Sequence, residues 1–134
     1  RSKEFVTKKI VDTALKIKRN KGIILKLGNV EIVRDWGWAP DYVKAIWLMM
    51  QRNKPRDFII GSGKTYSLKD FVNEVFKYLD ISKKNLKTNV SKYKRKIDLR
   101  GYKANIADTQ KILKWKPKLK FKTIIHKMIN NELF

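Results

Sequence analysis

From Leu68 to Leu79 the apolar residues Leu68, Phe71, Val72, Val75, Phe76 and Leu79 recur at intervals of three and four. That spacing gathers them on one wide helical face which has to be covered by other parts of the chain. Ser67 and Asp70 stand in the spacing of a capping box, so the helix begins at Ser67. Any fold open to this chain is therefore built around a helix whose inner face needs partners.

Other segments supply them. Val6, Ile10, Ala14 and Ile17 place an amphipathic helix over residues 5–18, closed by Asn20-Lys21-Gly22. Ile23-Ile24-Leu25 and Val30-Glu31-Ile32-Val33 read as two short strands separated by Gly28-Asn29. Pro40 and Asp41 suit a first helical turn, Pro40 because its missing N–H is not needed there and Asp41 because it faces the positive end of the dipole. The resulting helix covers 40–51, and its stripe of Val43, Ile46, Trp47 and Met50 calls for a substantial partner surface. Phe58-Ile59-Ile60 reads as a buried strand ending at Gly61-Ser62-Gly63. Residues 82–96 form a loop with one short strand, and helices follow at 106–113 and 121–131 around Trp115-Lys116-Pro117. Strand and helix patterns alternate without a repeat, so the fold class is α/β or α+β, a small sheet flanked by helices.

Composition narrows the chemistry. The 134 residues suffice for one domain, and 43% hydrophobic content separates the chain from disordered sequences despite its charge. There is no cysteine, which removes disulfides, thiolate nucleophiles and Cys-based metal sites and fits a reducing, cytoplasmic compartment. No apolar run approaches the roughly 20 residues that span a bilayer. The start, Arg1-Ser2-Lys3-Glu4, resembles neither an initiator methionine nor a signal peptide, so the chain reads as a piece of something longer. A net charge of +21 suits polyanions, but it is carried mainly by lysines spread along the whole length, as on a solvated surface. Arginine is scarce, and its planar fork is suited to bidentate phosphate recognition, which singles out its few positions.

Several local patterns read as structure. Gly63-Lys64-Thr65 looks like the tail of a phosphate-binding loop, but Phe58 holds the place of the first glycine, so a turn is expected. His126 is the sole histidine, and a packing or surface role suits it better than a metal or a catalytic triad. Lys92-Tyr93-Lys94-Arg95-Lys96, with Arg100-Gly101-Tyr102-Lys103, could stack bases and hold phosphates; the plainer reading is a solvated basic loop.

The run Arg34-Asp35-Trp36-Gly37-Trp38-Ala39-Pro40-Asp41-Tyr42, continued by Val43, Ala45, Trp47, Leu48 and Gln51, resembles the Arg-Asp-Trp-Gly segment of GDP-mannose 4,6-dehydratases, members of the extended short-chain dehydrogenase/reductases. Arg1 and Phe5-Val6-Thr7-Lys8-Lys9-Ile10, Leu27-Gly28-Asn29, Asp57-Phe58-Ile59-Ile60, and Leu113-Lys114-Trp115-Lys116-Pro117 are similar to further segments of that family in the same order. The resemblance implies that residues 1–134 are the C-terminal, GDP-mannose-binding part of such an enzyme, without its Rossmann domain. In the family NADP, held by that other domain, carries a hydride internally. C4 of GDP-mannose is oxidised, water is eliminated across C5 and C6, and the hydride returns to C6, giving GDP-4-keto-6-deoxymannose. The family's Tyr-x-x-x-Lys does not occur here: Tyr42, Tyr66, Tyr78, Tyr93 and Tyr102 are followed four residues on by Ile46, Asp70, Ser82, Ile97 and Ile106. The chain alone is expected to be inactive, with no catalytic residue of its own and no metal.

By position in the family motifs, Arg34 holds the pyrophosphate, Arg95 is a second phosphate clamp and Asp98 accepts from the ribose hydroxyls. Val6 and Lys9 flank the guanine, and Arg1 approaches NADP. Lys96 replaces a family proline, and Ala104-Asn105-Ile106 stands against Gly-Asp-Pro, so this stretch departs from the pattern. The partners implied are GDP-mannose or another GDP-sugar, the Rossmann domain, and further copies of the full enzyme, with neither membrane nor nucleic acid. Two alternatives stand beside this reading: a lysine-rich module binding nucleic acid through residues 92–103, and a related nucleotide-sugar dehydratase or reductase.

Overall fold

Ser67 ends one element and starts the next. In a computed structural model describing residues 5–93 and 101–131, it is the last residue of strand β3 (Thr65–Ser67) and the N-cap of helix α3 (Leu68–Leu79). Its hydroxyl accepts from the Asp70 amide at 3.0 Å, and the Asp70 carboxylate accepts from the Ser67 amide at 2.8 Å, completing the capping box. The next amides of α3 are also satisfied, Leu68 by the Ile32 carbonyl at 2.9 Å and Lys69 by that of Val30 at 2.8 Å. At the other end Asp80 takes a left-handed conformation (φ 54°) that lets the Ile81 amide reach back to Phe76.

The face of α3 is buried as its spacing requires, between α1 (Val6–Arg19) and α5 (Phe121–Ile129). Ile10, Val11, Ala14 and Ile17 of α1 and Phe121, Ile125 and Ile129 of α5 complete the main core, with Leu25, Leu27 and Val30 from the intervening chain. Two short ladders lie beside these helices. β1 (Leu25–Lys26) runs parallel to β4 (Leu86–Lys87), and β2 (Val33–Asp35) runs antiparallel to β3, with Arg34 opposite Tyr66. The sheet material thus has both senses, as expected of a small α/β unit, in two separate two-stranded ladders.

The strand readings need correcting. Strand pairing begins at Val33 rather than Val30, because the Asn29 side chain accepts from the Glu31 amide in a turn while the Val30 and Ile32 carbonyls serve α3. Phe58-Ile59-Ile60 is neither a strand nor buried: Ile59 is exposed and its neighbours are half-buried. The Ile59 carbonyl accepts from the Thr109 hydroxyl at 2.8 Å instead of a neighbouring strand.

Helix α2 (Ala39–Met50) opens with Pro40 as expected, but buries only Asp41 and Ala45; Val43, Ile46, Trp47 and Met50 are exposed. With α4 (Ala107–Leu113) and Trp115 it forms a second, smaller cluster of Ala45, Leu113 and Trp115. Asp41 ties this cluster down. Its carboxylate accepts from the Lys118 and Leu119 amides at 2.9 and 3.1 Å, and its carbonyl accepts from the Trp115 indole at 3.0 Å. Among the described residues, no helix is long and apolar enough to cross a membrane.

Candidate functional site

The Arg34-Asp35-Trp36-Gly37 run is spent largely on holding β2 in place. Asp35 accepts from the backbone amides of Ser62 and Gly63 at 2.8 and 3.0 Å and from the Tyr42 hydroxyl, joining β2, the 61–63 loop and α2. Trp36 donates its indole N–H to the Tyr66 carbonyl at 2.9 Å and rests on Phe71 of the main core. Gly37 leaves room for the Tyr42 hydroxyl, which a β-carbon would overlap. Burial, then the charges of Asp35 and Asp41 and the Asp35 hydrogen bond, push the Tyr42 phenol up to about 12. This framework fixes Arg34, which is half-buried on β2 with Nη1 donating to the Val33 carbonyl at 2.7 Å.

Two further expected residues lie on α1. The Lys9 ammonium donates to the Lys26 carbonyl at 3.0 Å and sits 3.7 Å from the centre of the Tyr93 ring. Val6, one turn earlier on the same face, is half-buried at the margin of the main core. Arg95 and Asp98, like Arg1, lie outside the described residues. The described residues on either side of that stretch are informative. Tyr93 lies against Lys9, and Gly101 packs so closely on β2 that a β-carbon would come within 2.6 Å of the Val33 carbonyl.

Asp35 and Tyr93 had no part in the expected site. The sequence signal for Asp35 was its place inside the unusual run, and that for Tyr93 its basic and aromatic neighbours. The Gly63-Lys64-Thr65 turn has no phosphate role: the Ser62 and Gly63 amides that a phosphate needs are taken by Asp35, and Thr65 is in β3. His126 is a packing residue, its Nε2 2.9 Å from Glu74 and its ring stacked on Tyr78. Among the described residues, no group of acidic, His or Cys side chains could hold a metal. Two surface hollows occur elsewhere, one between the C-terminal ends of α1 and α3 and the other beside Tyr66 and Phe121, and neither includes Arg34 or Lys9.

Helices α1, α3 and α5 packed beside two short ladders define the class. The fold is that of part of an extended short-chain dehydrogenase/reductase: a dTDP-glucose 4,6-dehydratase from Bacillus anthracis, solved with NAD, superposes with a TM-score of 0.80 over 97% of this chain and 39% of its own, at 21% identity. The family profile described as GDP-mannose 4,6 dehydratase matches residues 1–128, and the chain belongs to that family. It is 33% identical over 133 residues to GDP-mannose 4,6 dehydratase 1 of Arabidopsis thaliana, covering 99% of this chain and 37% of the relative. For the Dictyostelium discoideum GDP-mannose 4,6 dehydratase the values are 34% over 150 residues, 99% and 42%. The chain thus spans about two fifths of the length of these relatives.

Proposed function

We propose that this chain binds the GDP moiety of a GDP-sugar as the substrate-binding portion of a GDP-mannose 4,6-dehydratase, an enzyme making GDP-4-keto-6-deoxymannose. The observation that carries this is the fixing of Arg34 by its neighbours, Asp35 anchoring β2 to the 61–63 loop and Trp36 anchoring it to Tyr66. A guanidinium held on a strand loses little freedom on chelating a diphosphate, which favours affinity. Arg34 and Arg95 take the phosphates, Asp98 the ribose hydroxyls, and Val6 and Lys9 the guanine.

The reaction itself is assigned elsewhere. The sequence offers no Tyr-x-x-x-Lys, and the 61–63 loop, closed by Asp35, does not fit a dinucleotide phosphate. NADP supplies reversible hydride transfer in the full enzyme, and only Arg1 of this chain is proposed to approach it. Within that enzyme this portion binds and orients the sugar nucleotide in the cytoplasm, in an assembly of several copies.

Calorimetric titration with GDP tests the reading. Saturable binding is expected, weakened at least tenfold, or about 1.4 kcal/mol, by Arg34→Ala. Binding of unrelated oligonucleotides with a steep salt slope and no preference for GDP overturns it and supports the nucleic-acid alternative.

A further inference from the structure

Positive charge concentrates at the C-terminal end of α1. Residues 16–26 hold five basic side chains and no acidic one, and 83–87 hold Lys83, Lys84 and Lys87 without an acid. The fold brings the two stretches together. The Asn85 side-chain amide donates to the Lys21 and Ile23 carbonyls at 2.7 and 2.8 Å, and β1 lies against β4 with Lys26 opposite Lys87. All eight basic side chains are exposed, and among the described residues no ion pair engages any of them. Acidic groups are engaged elsewhere: Asp35, Asp41 and Asp70 accept from backbone amides, while Asp12, Glu31 and Glu74 pair with Lys8, Lys69 and Lys122. Asp80, beside Lys18 and Lys21 at the hollow between α1 and α3, offsets a single charge.

Placing Lys26 opposite Lys87 lowers stability, since like charges facing one another across a ladder repel. A polyanion relieves that repulsion. The residues also discriminate among polyanions. Seven of the eight groups are lysines, point charges that suit a diffuse anionic layer, and Arg19 is the one planar fork among them able to chelate a phosphate. Neither stretch contains an aromatic residue on which a base could stack. Ile24, between Lys21 and Lys26, is 47% exposed, and an apolar side chain among lysines gains from a layer with a hydrocarbon interior, not from a phosphate backbone. A second copy of this chain, carrying the same charge of +21, is repelled. We propose that this end of the molecule docks on an anionic lipid surface, with Ile24 entering the headgroup layer and the lysines around it facing the lipid charges. The contact is peripheral and needs no spanning segment, in keeping with the lack of a membrane-crossing helix among the described residues. Arg34 has no part in it.

Co-sedimentation of the 134-residue chain with vesicles is the test. Binding to vesicles of phosphatidylcholine and phosphatidylserine in equal parts is expected, falling as salt is raised, with no binding to phosphatidylcholine alone. Lys83→Gln, Lys84→Gln and Lys87→Gln combined are expected to weaken it about tenfold or more, and Ile24→Ser about threefold. The same change at Lys54, Lys111 and Lys116, exposed lysines outside the two stretches, is expected to weaken it less than about threefold. Equal losses from the two triple variants would reduce the effect to net charge and overturn the proposal, as would indifference to Ile24→Ser or no binding to the mixed vesicles. Tighter binding of an unrelated oligonucleotide duplex than of mixed vesicles, at the same salt and the same concentration of anionic charge, overturns it in favour of nucleic acid. The altered side chains are exposed and Lys87→Gln removes the repulsion from Lys26, so the urea midpoint of the first triple variant is expected not to fall.

Discussion

Asp35 gathers three donors from three parts of the chain, two amides of the 61–63 loop and the hydroxyl of Tyr42. The consequence can be read on Tyr42, whose phenol is raised by burial first and by Asp35 and Asp41 after that, to about 12 against an ordinary 10.0. A raised phenol pKa means that the folded chain keeps a proton which the unfolded chain gives up. Tyr42 therefore contributes its full stabilisation below pH 10, and that contribution falls away as pH rises from 10 to about 12. Subtracting the tyrosinate absorbance of Tyr42→Phe from that of the unaltered chain isolates this group, and the difference is expected to titrate with a midpoint about 12. A midpoint at the ordinary value would mean that the Asp35 contact does not form in solution. The same substitution keeps the ring against Trp115 and removes only the hydroxyl, so a wholesale change of fold is not expected.

At the scale of elements, what could be read in the sequence was periodicity long enough to average over. α1, α2, α3 and α5 carry apolar stripes of at least two turns, and each begins within about a residue of its expected start. The strands are two or three residues long, too short for a period of two to stand out, and their positions follow from tertiary partners. β3 was hidden inside the turn that precedes Ser67, and residues 58–60 have strand chemistry without a strand to pair with. Of the candidate site, Arg34 stood out in the sequence because an uncommon run carries it, whereas Tyr93 did not, because its contact with Lys9 joins residues distant in sequence. Asp41 shows how an element-level reading can be right for part of the reason. It stands in the first turn of α2, as a favourable dipole partner should, and it also holds the 118–119 backbone. Asp41→Ala leaves two amides without their acceptor, and at about 1.5 kcal/mol for each hydrogen bond to a charged group the loss is about 3 kcal/mol. Urea denaturation checks this, and a loss under about 1 kcal/mol would show that water replaces the carboxylate there.

Over the whole molecule, apolar burial is divided unequally. Among the described residues, sixteen buried side chains make the cluster shared by α1, α3 and α5, and three make the one that carries α2 and α4. The two parts are linked through β2, by the Asp35 hydrogen bonds and by Trp36 reaching Tyr66 and Phe71. Polar links of that kind transmit position well, but they add little to cooperative stability beside a large apolar core. The amides of α1, α3 and α5 are accordingly expected to exchange hydrogen only through global unfolding, with a steep dependence on urea. Those of α2 and α4 are expected to exchange at a lower free energy with a shallow dependence, as in sub-global opening. Native-state hydrogen exchange across a urea series separates these cases. Equal free energies and equal slopes in all five helices would make the molecule one cooperative unit and would show that the exposed stripe of α2 costs it nothing. Arg34 lies on the joint between the two parts, so the nucleotide site proposed there is expected to weaken when either side of the joint opens.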